Sequence, residues 1–333
     1  MLLKITHKTD LTYNDLISES VMELRMSPRQ ENDQHRLSFA LSVGPATAVA
    51  SYFDWLGNTV HALTINAHHD AVRVIATSVV ETDRPVPLVG QKSDLWPVPL
   101  QQIDYAMYDY LQLAGPVVDC APLRELAASV NPRDGEPLGA VAARLLTLVG
   151  TRFNYQKGVT TAASPITEIL QHGRGVCQDF SHLMIGLARV LHIPARYVSG
   201  FIHRDGERYR GYAQTHAWCE LYFPSTGWIG FDPTNGCLVG SNFIKIGHGR
   251  DFRDVSPNKG VFRGTADEKI EVTVEMEELP CIPPSLVGER FQTIDLVTAR
   301  HRPDTEHVEA AVTQQQEQQQ QELRQQQEQQ QQQ

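Results

Sequence analysis

Residues 215–235 restrict the fold more than any other stretch of the chain. Thr215-His216-Ala217-Trp218-Cys219-Glu220-Leu221-Tyr222-Phe223 alternates, Pro224-Ser225-Thr226-Gly227 interrupts it, and Trp228-Ile229-Gly230-Phe231-Asp232 alternates again. Two such runs around a Pro- and Gly-containing turn predict an antiparallel hairpin. Strand side chains alternate between faces, so Ala217, Cys219, Leu221 and Phe223 share one face and His216, Trp218 and Glu220 the other. On the second run Ile229 and Phe231 oppose Trp228, Gly230 and Asp232. Pairing apolar face with apolar face sets the parity of the register, because a one-residue slip would turn every side chain over. That parity places His216 and Asp232 on one side of the sheet, directly opposed or diagonal, where the carboxylate can hold an imidazole nitrogen.

A second stretch adds a nucleophile. Gly173-Arg174-Gly175-Val176-Cys177-Gln178-Asp179-Phe180-Ser181-His182-Leu183 reads as a Gly-rich turn leading into an apolar helix that continues to Leu191. Cys177 then lies at or just before the helix N-terminus, where unpaired N–H groups and the helix dipole favour negative charge. Such a position lowers a thiol pKa and makes thiolate available near neutrality. The same N–H groups could help hold an oxyanion. Read alone, a cysteine such as Cys177 is more often a small buried hydrophobe beside a turn. Beside a paired His216 and Asp232 it becomes the attacking atom of a Cys-His-Asp set. His216 takes the thiol proton and later returns one to the leaving amine, Asp232 orients the ring, and the thiolate forms a thioester from a carboxamide. His172 and His182 flank Cys177. A residue five positions along a helix points well away, and both histidines read as structural.

At 333 residues the chain is long for one domain. The first hundred residues read as β, with Tyr52–Trp55, a Leu56-Gly57-Asn58 turn, Thr59–Ile65 and a β-branched run through Val72, Val74 and Val79–Val80. Pro85, Pro87, Pro97 and Pro99 then mark a domain edge. Leu138, Val141, Ala142, Leu145, Leu146 and Val149 fall at helical spacing, as do Leu183, Leu187, Val190 and Leu191. Strands return from Ala195 to Phe231 and at Lys269–Glu275. The expected fold is α+β: an all-β sandwich over 1–100 without chemistry of its own, an α+β catalytic core with C-terminal strands over 101–280, and a tail over 281–333. Fifteen of residues 314–333 are Gln, a composition that cannot bury a core, so disorder is expected from 303.

The motifs resemble those of the bacterial transglutaminase-like superfamily of thiol enzymes, which share a papain-like core. Phe153-x-Tyr155-x-x-Gly158-x-Thr160, Gly175-Val176-Cys177-Gln178-Asp179-Phe180, His216-Ala217-Trp218-x-Glu220 and Gly227-Trp228-x-Gly230-Phe231-Asp232-Pro233-Thr234-Asn235 carry the likeness. His7, Tyr13, Ser27-Pro28-Arg29-Gln30 and Trp55-Leu56-Gly57-Asn58 resemble the β-rich region that precedes such cores, and Arg250–Pro257 is also similar to members. The resemblance implies that Cys177 is the nucleophile, His216 the base and Asp232 the orienting acid. Gln171, six residues before Cys177, stands where papain-like proteases place an oxyanion-hole glutamine. Trp218 and Trp228 are candidate cleft walls, or else hairpin packing. The resemblance also points to a protein or peptide amide as substrate and to water or an amine as second substrate.

Protease- or amidase-like hydrolysis, or simple acyl transfer, is the expected reaction. Protein-glutamine transamidation by the same three residues is the alternative, and a binding or scaffolding protein with an idle core is the second. Animal transglutaminases use calcium, but no D-x-[DN]-x-[DN]-G loop is present, and no metal or cofactor is expected. A net charge of −10 argues against nucleic acid or anionic lipid as partner. No run approaches the roughly 18 apolar residues of a membrane span. The start turns polar too early for a signal peptide. Five cysteines, with no CxxC pair, fit neither a disulfide framework nor a thiolate zinc site, and a reduced cytoplasmic setting is expected.

Overall fold

The computed structural model describes residues 1–87, 94–99, 101, 103–203, 215–282 and 288–294. The Gln-rich tail from 303 lies outside them. At the start the alternating runs become β1 (Leu2–Ile17), β2 (Glu19–Leu24), β3 (Gln34–Gly44), β4 (Val49–Phe53), β5 (Thr59–Ile65) and β6 (His69–Thr82). The turn between β4 and β5 is built as its residues suggest. Asp54 Oδ1 accepts from the N–H groups of Leu56 and Asn58 at 3.0 and 2.9 Å, and Gly57 supplies the left-handed φ of +73°.

The next part is helical. Short β7 (Leu95–Trp96) pairs with β8 (Glu136–Pro137), enclosing α1 (Ala121–Ser129) in sequence. The periodic run at 138–149 forms α2 (Leu138–Arg152), whose Leu138, Val141, Ala142, Leu145 and Val149 are fully buried. Parallel β9 (Asn154–Tyr155) and β10 (Arg174–Gly175) flank α3 (Ile166–His172) and deliver the chain into α4 (Cys177–Val190). This helix packs against α1, α2 and the following sheet, and apolar side chains surround it: Phe180, Leu183, Met184, Ile185, Leu187 and Ala188 are all inaccessible. The sheet consists of β11 (Ala195–Ile202), β12 (Thr215–Phe223), β13 (Gly227–Asp232), β14 (Cys237–Leu238) and β15 (Phe243–Gly249), in the order β14-β13-β12-β11-β15. In the hairpin, Cys219 lies opposite Phe231 and Leu221 opposite Ile229, with the apolar face turned to the helices.

After α5 (Phe252–Val255) the chain returns to its beginning. β16 (Asn258–Arg263) joins β2, β17 (Glu268–Glu278) joins β1, and β18 (Gly288–Thr293) joins β3. The strand expected at 269–275 therefore forms, but within the N-terminal sheet rather than the helical half. The cause is the outer edge of β1, a 16-residue ladder that would otherwise leave its N–H and C=O groups open. The resulting sheets, β17-β1-β6-β3-β18 and β16-β2-β5-β4, enclose Leu11, Met22, Leu24, Phe39, Leu63 and Val74. The fold is α+β, with a strand-rich N-terminal part and a core of helices packed on a five-stranded sheet. Leu3, Ile5 and Val80 of the first sheet pack on Phe201, Ile244 and Ile246. Buried amides lock this seam: Gln34 Nε2 donates to the Lys245 carbonyl at 2.8 Å and Asn58 Nδ2 to that of His248 at 3.0 Å. No helix among the described residues is long and apolar enough to cross a membrane.

Candidate active site

Cys177 is the first residue of α4, preceded by an extended Val176. Asp179 makes the helix start there. Its Oδ2 reaches back to accept the Val176 N–H at 2.8 Å and also accepts the Thr160 hydroxyl at 2.6 Å. The fold-back needs Gly175, because a Cβ there would stand 2.7 Å from that same oxygen. The thiol is thus held where the first-turn N–H groups of α4 lack helical partners.

The hairpin register sets the second and third groups. Extending the pairing of Cys219 with Phe231 by one residue puts Trp218 opposite Asp232, so His216 is the diagonal neighbour of Asp232. His216 Nε2 and Asp232 Oδ2 are 2.8 Å apart. The Asp232 carboxylate is fully buried, and the turn that follows it saturates it. Oδ1 accepts from the Thr234 and Asn235 N–H groups at 3.0 and 3.3 Å, and Oδ2 accepts from Asn235 Nδ2 at 2.6 Å. With Nε2 engaged, Nδ1 is the ring nitrogen left for the Cys177 thiol, which lines the same cavity as the imidazole. Burial alone would lower the His216 pKa. The Asp232 charge and hydrogen bond, together with Cys177, override that and push it up to about 10.

A cavity of about 320 Å³ opens onto Cys177 and His216. The core contributes Gln178, Tyr197, Ser199, Ala217 and Phe252, while His7 and Thr9 of β1 and Ile270 and Val272 of β17 supply a wall from the N-terminal sheet. His182 is buried in α4, takes the Phe252 N–H on Nε2 at 3.1 Å, and so positions that wall residue. Gln171 is exposed on α3 and is not among the residues lining this cavity. Trp218 is inaccessible, packed edge-on against Phe243 at 5.4 Å on the face it shares with His216, and does not line this cavity. Cys219 is buried on the apolar face. No group of three or more His, Cys, Asp or Glu side chains among the described residues is placed to hold a metal ion.

Comparison with known proteins identifies the family. Residues 124–233 match the transglutaminase-like superfamily, and residues 3–81 match the bacterial transglutaminase-like N-terminal region. An uncharacterized Mycobacterium leprae protein is 32% identical over 285 residues, covering 83% of this chain and 99% of that one. The chain belongs to the transglutaminase-like superfamily. That is a family of thiol enzymes. A protein-glutamine gamma-glutamyltransferase of Pseudomonas aeruginosa is 30% identical over 118 residues, covering 33% of this chain and 18% of that protein. The crystal structure of a candidate cysteine protease from Cytophaga hutchinsonii shares the fold at a TM-score of 0.69, with 23% identity over 85% of this chain and 93% of that one.

In this superfamily member Trp228 also lies away from the thiol cavity. It borders a separate cavity of about 530 Å³ with Trp55 and Tyr108, and the Arg196 guanidinium stacks on its ring at 4.2 Å. Arg196 in turn is paired with Glu220 at 2.6 Å, and Glu220 also holds Lys245. All three are buried. Burial would raise the Glu220 pKa, but the two cations hold it well below the usual carboxylate range. Glu220→Ala leaves Arg196 buried without its partner and Lys245 with Glu31 alone. We expect it to cost about 3–5 kcal/mol in urea unfolding, with Glu220→Gln, which keeps the volume but not the charge, costing nearly as much. A Glu220→Gln protein close to wild type in stability would show that packing, not charge, is what Glu220 supplies.

Proposed function

We propose that the protein is a cysteine-dependent acyl-transfer enzyme acting on protein or peptide amides, with Cys177 as nucleophile, His216 as base and then acid, and Asp232 as orienting group. The observation that carries this is the single imidazole held between a helix-start thiol and a saturated, buried carboxylate. The Cys177 sulfur adds to the amide carbon, and the first-turn N–H groups of α4 are available to the resulting oxyanion. The C–N bond then breaks as the His216 imidazolium protonates the departing nitrogen, leaving a thioester and a neutral ring. In the second half the ring takes a proton from water as the water oxygen adds to the thioester carbon, the C–S bond breaks, the imidazolium returns that proton to sulfur, and acid and free thiol result. A primary amine in place of water gives a new amide instead. Hydrolysis is our principal reading. Transamidation, the second reading, is supported by the likeness to the Pseudomonas gamma-glutamyltransferase over 118 residues.

Iodoacetamide labelling at pH 6 tests the assignment. An ordinary exposed thiol is only about 0.3% ionised at that pH. Cys177 is expected to label about 100-fold faster than the exposed Cys281, and His216→Ala should abolish the difference. Uniformly slow labelling of all five cysteines would favour a non-catalytic protein. Adding a labelled primary amine during turnover of a peptide amide then separates hydrolysis from transamidation by product mass.

A further inference from the structure

The inward face of β1 runs Leu3, Ile5, His7, Thr9, Leu11 and Tyr13. Its first part packs on the core sheet and its last part on the second N-terminal sheet. Two polar residues interrupt an otherwise apolar stripe, an arrangement that costs stability unless the polar groups are used. The interruption coincides with the cavity of Cys177, which both His7 and Thr9 line. His7 is 2% exposed and stands edge-on to Phe201 at 5.6 Å. Its Nε2 meets Thr9 Oγ1 at 3.5 Å, and its Nδ1 has no hydrogen-bond partner among the described residues. Asn258 Oδ1, at the same cavity, is likewise buried and unpartnered among them.

Burial keeps the His7 ring neutral, pushing its pKa down to about 4. A neutral imidazole offers one donor and one acceptor and no charge. Beside it, Ile270 and Val272 also line this cavity, and each is half exposed although it lies on a sheet face. No Asp, Glu, Lys or Arg occurs among the described residues lining it.

We propose that the N-terminal sheet is part of the substrate-binding machinery: His7 and Asn258 hydrogen-bond an uncharged polar group of the acyl donor, and Ile270 and Val272 cover the aliphatic segment joining that group to the scissile amide. The pocket therefore selects neutral acyl donors and rejects a carboxylate or ammonium at this position, because no opposite charge compensates its desolvation. This reading rests on Cys177 being the nucleophile.

The test uses the full chain and two peptidyl chloromethyl ketones that differ only in ending their acyl side chain in a carboxamide or a carboxylate. The rate of Cys177 alkylation is followed by intact mass, with iodoacetamide in parallel as a reporter of the thiol alone. Wild type is expected to react at least about tenfold faster with the carboxamide probe. His7→Phe keeps a ring against Phe201 but removes both nitrogens. It should lower the carboxamide-probe rate, relative to the iodoacetamide rate, by about tenfold, the weight of one good hydrogen bond. Asn258→Ala, at a half-buried strand start, should act in the same direction, and His7→Gln should recover part of the loss. Equal rates for the two probes in wild type overturn the proposal. So does an unchanged probe-to-iodoacetamide ratio in Asn258→Ala and in whichever His7 variants fold. If iodoacetamide does not single out Cys177 in wild type, the nucleophile assignment itself falls and takes this pocket with it.

Discussion

Cys177→Ala should reduce amide turnover by about 10⁶-fold, to the level of the uncatalysed reaction plus whatever the cavity contributes by binding. The size follows from the role. With no nucleophile there is no thioester, and the remaining groups act as a unit that loses its purpose when one member goes. The fold should not notice. Cys177 is half-buried, its side chain takes no part in the start of α4, and the bond that uses this residue runs from Ser181 Oγ to its backbone carbonyl at 2.8 Å. Asp179, Gly175 and Thr160, which do build that start, are untouched. Stability should therefore change by less than about 1 kcal/mol. Cys177→Ser sharpens the comparison, because it keeps the shape and a polar atom while removing the ionisable sulfur. Turnover measured on a chromogenic peptide amide, beside a thermal melt of each variant, settles the matter. A Cys177→Ala protein that keeps more than about 1% of wild-type turnover and melts normally would leave some other group doing the chemistry.

The central geometry was legible because it depends on short-range periodicity. Two strand runs and one turn were enough to bring His216 and Asp232 to one side, and the register resolves the two options in favour of the diagonal. A Gly-rich turn before an apolar helix was enough to put Cys177 at a helix start. What escaped depends on distant chain. Trp218 shares a face with His216, but whether that face meets substrate or protein is decided by Phe243 and Val239, beyond the hairpin, which cover it. Gln171 has a suggestive spacing, yet spacing says nothing of direction. α3 ends at Gly173 with φ +67°, and this reversal leaves the Gln171 side chain in solvent. The wall made by His7, Thr9, Ile270 and Val272 needs a pairing across more than two hundred and fifty residues, Thr9 with Val272 and Leu11 with Ile270. One signal was available: the stripe of β1 turns polar at His7 and Thr9, where a strand serving only as packing would have stayed apolar.

Asp232→Asn should do more than remove a charge, because Asp232 accepts from four donors, two on each oxygen. An asparagine must place its NH₂ against one pair of them. The Thr234 and Asn235 backbone N–H groups cannot turn away, so the amide nitrogen goes to the other side, facing His216 and the Asn235 side chain. His216 then has to accept on Nε2, which moves its proton to Nδ1, the nitrogen that should receive the thiol proton. A base in the wrong tautomer lowers turnover by about 10⁴-fold with the architecture intact. The pH profile carries a separate signature. His216 in the wild-type fold titrates at about 10, above its ordinary 6.5, so the pairing stabilises the protein fully below about pH 6.5 and is lost as pH rises through about 10. The alkaline limb of turnover should follow the imidazolium of the coupled Cys177–His216–Asp232 set and fall near that upper value. Without the carboxylate, burial acts almost unopposed, and the limb should move down by about 1–3 pH units or more in the residual activity. The stability gained by His216 protonation should shrink with it, so Asp232→Asn loses most relative to wild type below about pH 6.5, and the difference closes as pH rises towards 10. An alkaline limb that stays in place in Asp232→Asn would mean that the charge beside His216 does not govern its proton, and the role of Asp232 would reduce to holding the turn.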